Sequence, residues 1–226
     1  MAEALAARGL TYAAWLSEAP RGAAPFAPVP QLRRFADGAA MQGAMVQGGF
    51  DAVIDAGHGF DAQTTAQACA AAGALGLPVL RLAREAWDLP PQERARDVRA
   101  ANAMLLPAAR VFCATGWDSL PDYAGFVGAV LLLRQTRRHA RAALYSFVEL
   151  VFGDPPFTAA SEQALLRSLN VDTLVCRNIG GAASLPKIDA ARALGVRVIA
   201  VDRPALPEGL RVVAQVDAVL DWLDAL

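Results

Sequence analysis

Residues 71–84 read AAGALGLPVLRLAR, and residues 190–203 read AARALGVRVIAVDR. Set over one another at an offset of 119, they agree at seven of fourteen positions, including Leu75 with Leu194, Gly76 with Gly195, Val79 with Val198 and Arg84 with Arg203. Each copy reads as the end of an Ala-rich helix, a glycine suited to a left-handed cap, and a short apolar run that can be a buried strand. Just upstream, GFDAVIDAGHG (residues 49–59) and NVDTLVCRNIGG (residues 170–181) also share a form: an Asp, an apolar strand, then a Gly-bearing loop. The repetition predicts a duplicated helix–strand scaffold.

Outward from these two copies, short β-rich runs alternate with helical windows. Strands are expected over residues 12–16, 51–56, 79–82, 110–115, 129–133, 171–176 and 196–201. Helices are expected over 62–75, 92–105, 159–169, 186–194 and 216–226. Such alternation is the pattern of parallel sheets with crossover helices. The expected fold is therefore α/β: two domains, 1–107 and 108–226, with parallel sheets and a cleft between them.

Composition excludes several classes. The 226 residues are 55% hydrophobic, but 50 of them are alanine, which inflates the apolar share without adding core mass. With 21 basic against 22 acidic residues, the net charge of −1 leaves no footprint for nucleic acid or an anionic membrane. Cys69, Cys113 and Cys176 stand far apart, and His58 and His139 are the only histidines, so neither zinc spacing nor a disulfide framework is present. The uncharged stretch over residues 62–80 is too polar and broken for a membrane span, and the first fifteen residues lack a signal-peptide pattern. The expectation is a soluble, cytoplasmic chain with reduced thiols and no bound metal.

In open α/β sheets, ligands gather beyond the carboxyl ends of strands, where loops and helix starts offer free N–H groups. Three loops fall there: residues 56–60 around Gly57-His58-Gly59, residues 114–116 with Thr115-Gly116, and residues 177–181 with Gly180-Gly181. Lys187 is the single lysine beside 20 arginines, and it opens a helix just after the Gly-Gly loop. A compact ammonium with three donors differs from a planar guanidinium, so the exception suits a phosphate or carboxylate; a solvated turn is the plainer reading. His58 reads either as a proton donor and ligand contact or as the cap of the following helix. His139, within an Arg-rich run, reads as a solvated face. Trp87 could line a flat ligand or fill an interface core. No nucleophile elbow, Walker loop or G-x-G-x-x-G is present, so hydrolase and triphosphatase readings lack support.

Several strings together resemble one family. AVIDAGHGFDAQTTAQACAAAGALGLPVLRLAREAW is similar to the segment of precorrin-6A reductases that runs D-A-T-H-P-F-A, a helix, then G-x-P-x-x-R-x-x-R-P-x-W. VFCATGWDSL resembles their strand with T-G, and FGDPPFTAASEQALL their G-P-F-x-x-x-x-E, which places Phe157 and Glu162. VDTLVCRNIGGAASLPKIDAARALGVRVIAVDRP resembles D-x-L-V-x-K-N-S-G-G…K-x-x-A-A-x-x-L-G-x-x-V…R-P, with Lys187 on the family's lysine. The matches span the chain from Asp51 onward.

The resemblance implies a reductase of cobalamin biosynthesis with two Rossmann-like domains, which uses NADPH to reduce one double bond of the precorrin-6A macrocycle, giving precorrin-6B. The tetrapyrrole precorrin-6A is then its partner, alongside neighbouring cobalamin-pathway enzymes. It implies His58 as catalytic residue and Ser17, Arg21, Phe60, Arg177, Asn178 and Lys187 as substrate contacts. Gly57, Thr115, Gly116, Gly180, Gly181 and Arg203 would meet the cofactor. Departures are the loss of Thr and Pro around His58, Arg177 for Lys, Ile179 for Ser, and only a loose echo of S-x-x-G-R at Ser17 and Arg21. The family's opening strand and G-G-T-x-E loop have no counterpart before MAEALAARG, which predicts a native start some 15–20 residues upstream; a strand with its Gly-rich loop needs about that length. A non-catalytic tetrapyrrole-binding homologue that has lost the cofactor is the alternative.

Overall fold

The computed structural model describes residues 1–17 and 29–226. Its first compact unit comprises Met1–Arg84 and Ala205–Leu226, and its second Glu85–Pro204. The first unit opens with α1 (Ala2–Ala7), β1 (Trp15–Leu16), β2 (Gln31–Leu32), α2 (Gly38–Gly48), β3 (Val53–Asp55), α3 (Ala62–Ala74) and β4 (Val79–Leu82). The second holds β5 (Arg94–Ala95), α4 (Val98–Ala103), β6 (Arg110–Ala114), β7 (Val130–Gln135), β8 (Val148–Phe152), α5 (Ala159–Ser168), β9 (Thr173–Arg177), α6 (Pro186–Ala193) and β10 (Arg197–Val201). The chain then returns to the first unit with β11 (Arg211–Val213) and α7 (Val216–Asp224). Among the described residues, no helix is long and apolar enough to cross a membrane.

The repeated stretch folds alike in both units. Gly76 and Gly195 both take φ +68°, the left-handed conformation expected of them. After each glycine the chain bonds back five residues: Leu77 N–H donates to Ala72 C=O, and Val196 N–H to Ala191 C=O, both at 2.9 Å. These bonds satisfy carbonyls that a helix end leaves open and aim the chain into β4 and β10.

Both main sheets are parallel. In the first unit the order is β11-β4-β3, with β1 and β2 paired separately. Alternation sorts its side chains: Val53 and Val79 face Met41, Met45 and Ala72 of α2 and α3, while Ile54, Leu80 and Leu82 face Val219 and Trp222 of α7. In the second unit six strands run in the order β5-β10-β9-β6-β7-β8. Phe112, Leu132, Leu174, Cys176, Val198 and Ala200 pack against Leu166 of α5 and Ile188 and Ala191 of α6. Their neighbours Val111, Cys113, Leu131, Leu133, Val175, Ile199 and Val201 are buried as well. Cover on both faces explains why these strands read as continuous apolar runs.

The boundary expected near Pro107 lies elsewhere. β5 hydrogen-bonds to β10, which carries the chain from Glu85 onward into the second unit. β11 bonds to β4 and α7 packs on Leu80, which returns residues from Ala205 onward to the first. Pairing with a distant strand decides both transfers, and strands of two or three residues leave little pattern. For the same reason the helix expected over 92–105 shrinks to Val98–Ala103, started by the Asp97 carboxylate accepting from Ala100 N–H at 2.7 Å. Helix α2 and strand β8 were not anticipated.

Candidate functional site

In the first unit the loop after β3 is built around a buried carboxylate. Asp55 accepts from Gly57 N–H at 2.8 Å and from the Thr65 hydroxyl at 2.7 Å, and it pairs with the Arg81 guanidinium from β4. Arg81, 1% exposed, also donates to Thr65 Oγ1 at 2.6 Å and to the His58 carbonyl at 3.2 Å. Two buried charges persist because each finds its complement and further hydrogen bonds. A charged residue inside the apolar strand VLRL was the readable signal for this network.

The loop carries His58 outward. His58 is exposed, and its Nδ1 accepts from Phe60 N–H at 3.2 Å, with the two rings 6.0 Å apart. Acceptance at Nδ1 assigns the neutral imidazole its proton on Nε2. The Gly57 N–H, expected to meet a cofactor, is held by Asp55 instead. The Ser17 carbonyl accepts from Arg34 Nε at 2.7 Å, and Arg21 lies outside the described residues.

In the second unit the strand order reverses at β6, whose neighbours are β9 and β7. Such a reversal opens a crevice at the carboxyl edge, the usual ligand position in this class of sheet. Gly116, at φ +91°, follows β6, and the Arg177 guanidinium at the end of β9 lies 3.5 Å from where a Gly116 Cβ would sit. Burial lowers the proton affinity of Arg177. The Thr115 hydroxyl points inward, to Ser119 Oγ at 2.6 Å and Cys113 Sγ at 3.0 Å, and the whole residue is buried.

The Asn178–Gly181 loop is pinned to the segment that starts the unit. Asn178, 3% exposed, exchanges two hydrogen bonds with the Trp87 backbone. Trp87 Nε1 donates to the Gly181 carbonyl at 3.2 Å. Arg203 donates to the Asn178 and Ile179 carbonyls at 3.0 and 2.7 Å. A Cβ on Gly180 would lie 1.9 Å from the Glu85 carbonyl oxygen, so that glycine permits a chain–chain approach. The side chains of Asn178 and Arg203 thus build the loop. Beside it, Trp87, Asp88, Asp202 and Arg203 line an open depression of about 400 Å³, bordered by the Arg94–Asp202 ion pair at 3.0 Å.

Lys187 is half-buried at the start of α6 and donates to the Ser184 carbonyl at 2.7 Å. Burial lowers its proton affinity; the nearby Cys176 and Glu162 oppose that shift, and Arg134 adds to it. Glu162 itself is buried and accepts from Arg134 at 2.8 Å, while the Arg134 guanidinium lies 4.3 Å from the Phe157 ring. Two cations around one carboxylate leave a net positive charge in a poorly hydrated place, an arrangement that favours an anion.

This geometry has close relatives. The profile of the family described as Precorrin-6x reductase CbiJ/CobK matches residues 1–224. A precorrin-6A reductase of Mycobacterium tuberculosis is 35% identical over 209 residues, which is 92% of this chain and 85% of that protein. A precorrin-6A reductase of Rhodobacter capsulatus is 34% identical over 229 residues, 99% of this chain and 90% of that protein. Among solved structures, a CobK precorrin-6A reductase superposes with a TM-score of 0.80 at 33% identity, covering 88% of this chain and 83% of its own.

Proposed function

The chain belongs to the precorrin-6x reductase family CbiJ/CobK, and we propose that it reduces one double bond of precorrin-6A to give precorrin-6B in cobalamin biosynthesis, with NADPH as reductant. The observation that carries this reading is the Arg177 guanidinium set beside Gly116 where the strand order reverses. A positive-φ glycine lets backbone N–H groups approach a ligand, and a guanidinium alongside places positive charge near an anionic oxygen. These residues fit a phosphate-bearing nicotinamide cofactor, which would supply the hydride. Gly116 would hold it, with the buried Thr115 setting the turn behind it.

The protein's own work is binding, orientation and exclusion of water, because hydride transfer needs the two reacting groups at about 3–3.5 Å and little covalent help. Lys187 meets a carboxylate of the macrocycle or a cofactor phosphate, and Phe60 offers an apolar ring. His58 presents Nε2–H toward the substrate as a donor. A cytoplasmic setting agrees with three cysteines that form no disulfide.

The test is direct. The purified chain is mixed with precorrin-6A and either NADPH or NADH, and nicotinamide oxidation is followed together with the mass of the product. We expect oxidation matched by a product heavier by two hydrogens, and a lower KM for NADPH. No oxidation of either nicotinamide above background would reject the assignment.

A further inference from the structure

The segment after β7 carries His139 among arginines. His139 stands edge-on between two aromatic rings, 5.0 Å from Trp117 at 89° and 5.6 Å from Phe152 at 77°. Both of its nitrogens are engaged: Nδ1 accepts from Arg141 N–H at 3.2 Å, and Nε2 lies 3.3 Å from Gln135 Oε1. That pattern is satisfied by the neutral imidazole, so His139 acts as a brace within an otherwise cationic segment. The solvated-face reading of this histidine is therefore corrected.

Two exposed arginines rest on the braced rings. The Arg141 guanidinium lies 4.3 Å from the centre of the Trp117 ring, and that of Arg138 lies 5.4 Å from Phe152. Stacking holds a guanidinium in one orientation while leaving its N–H edge open. Of the other exposed arginines, Arg8, Arg94, Arg96, Arg99 and Arg192 pair with a carboxylate, whereas Arg34, Arg167 and Arg211 form no such pair among the described residues. Among the described residues, no carboxylate stands within salt-bridge reach of Arg138 or Arg141. Trp117 directly follows Gly116, so the pair continues along the carboxyl edge from β6 toward β8.

We propose that Arg138 and Arg141, held on Phe152 and Trp117 about the brace of His139, form a subsite for peripheral carboxylates of the tetrapyrrole substrate. The inference rests on the proposed reductase function and adds the residues that would select a polycarboxylate macrocycle. Each guanidinium can take one carboxylate through two parallel hydrogen bonds.

The experiment compares the parent chain with Arg138→Gln/Arg141→Gln. KM for precorrin-6A is expected to rise about tenfold, with the thermal midpoint and the nicotinamide KM unchanged and a weaker salt dependence of kcat/KM. An unchanged precorrin-6A KM overturns the proposal. So does a rise confined to the nicotinamide KM, which would move the pair to a cofactor phosphate. A parent that does not turn over precorrin-6A refutes the reductase reading separately. The subsite is then read by binding of uroporphyrin I, a polycarboxylate porphyrin: about tenfold weaker binding by the variant supports it, and equal binding overturns it.

Discussion

Asn178 and Trp87 are joined like partners in a sheet: Asn178 Oδ1 accepts from Trp87 N–H at 2.8 Å, and Asn178 Nδ2 donates to the Trp87 carbonyl at 3.0 Å. A side-chain amide reproduces both bonds that a neighbouring strand would make. It ties the start of the second unit to the loop after β9.

Asn178→Ala removes both partners from part-buried backbone groups. The expected loss is about 2–6 kcal/mol, at roughly 1–3 kcal/mol for each of the two polar groups left without its bond. Asn178→Asp keeps the acceptor but sets a buried carboxylate oxygen against the Trp87 carbonyl, so its loss at neutral pH should be at least as large. Urea unfolding of both variants provides the measurement; equal stability of parent and Asn178→Ala would mean the loop is held without this contact.

Gly180 and Gly195 offer a matched pair, since both adopt φ +68°. An alanine at Gly195 would meet nothing within 4 Å, whereas at Gly180 its Cβ would lie 1.9 Å from the Glu85 carbonyl oxygen. Gly195→Ala is expected to lose about 1–2 kcal/mol from backbone strain alone. Gly180→Ala adds a backbone collision and should lose clearly more, or fail to fold. Similar unfolding midpoints for the two would show that residues near Glu85 give way freely.

Lys187 has its proton affinity lowered by burial from the ordinary 10.5. The unfolded chain therefore holds this proton more tightly than the folded one. The resulting penalty on folding is full below the lowered value, is relieved as pH rises toward 10.5, and is absent above it. Lys187→Met keeps the bulk and removes the ammonium. Its thermal midpoint at neutral pH should equal or exceed the parent's, with the margin narrowing as the solution becomes alkaline. Meanwhile KM for at least one substrate should rise about tenfold, near 1.4 kcal/mol. A lower neutral midpoint together with unchanged KM values would make Lys187 a structural residue.

The cysteines should differ in reactivity. Burial pushes the Cys176 thiol up to about 12 and raises Cys113 as well, and both are fully enclosed. At pH 8 the thiolate of Cys176 is on the order of one molecule in ten thousand. Iodoacetamide should label only the half-buried Cys69 in the folded protein, slowly, since burial and then Asp55 raise it too. All three should label in denaturant, as intact-mass measurement would register. Fast labelling of Cys176 under native conditions would contradict its enclosure.

What the sequence by itself determined is local. Leu75-Gly76 and Leu194-Gly195 end their helices, and the apolar runs after them become strands, because caps and alternating burial depend on residues a few positions apart. The carboxyl-edge loops were legible for the same reason, as were the lone Lys187 and the resemblance that ties these strings together. The unit boundary was not legible, since β5 and β11 take their places by bonding to β10 and β4 across long stretches of chain. Nor were the side-chain assignments within the loops. Whether Asn178 faces a ligand or Trp87, 91 residues away in sequence, depends on which backbone groups are left without partners once the strands are laid side by side. The same holds for Gly57, Thr115 and Arg203, and for His139 between its two rings. Residue type limits what a polar group can bond to, but burial requires that it be bonded, and only the folded chain decides which neighbour is within reach.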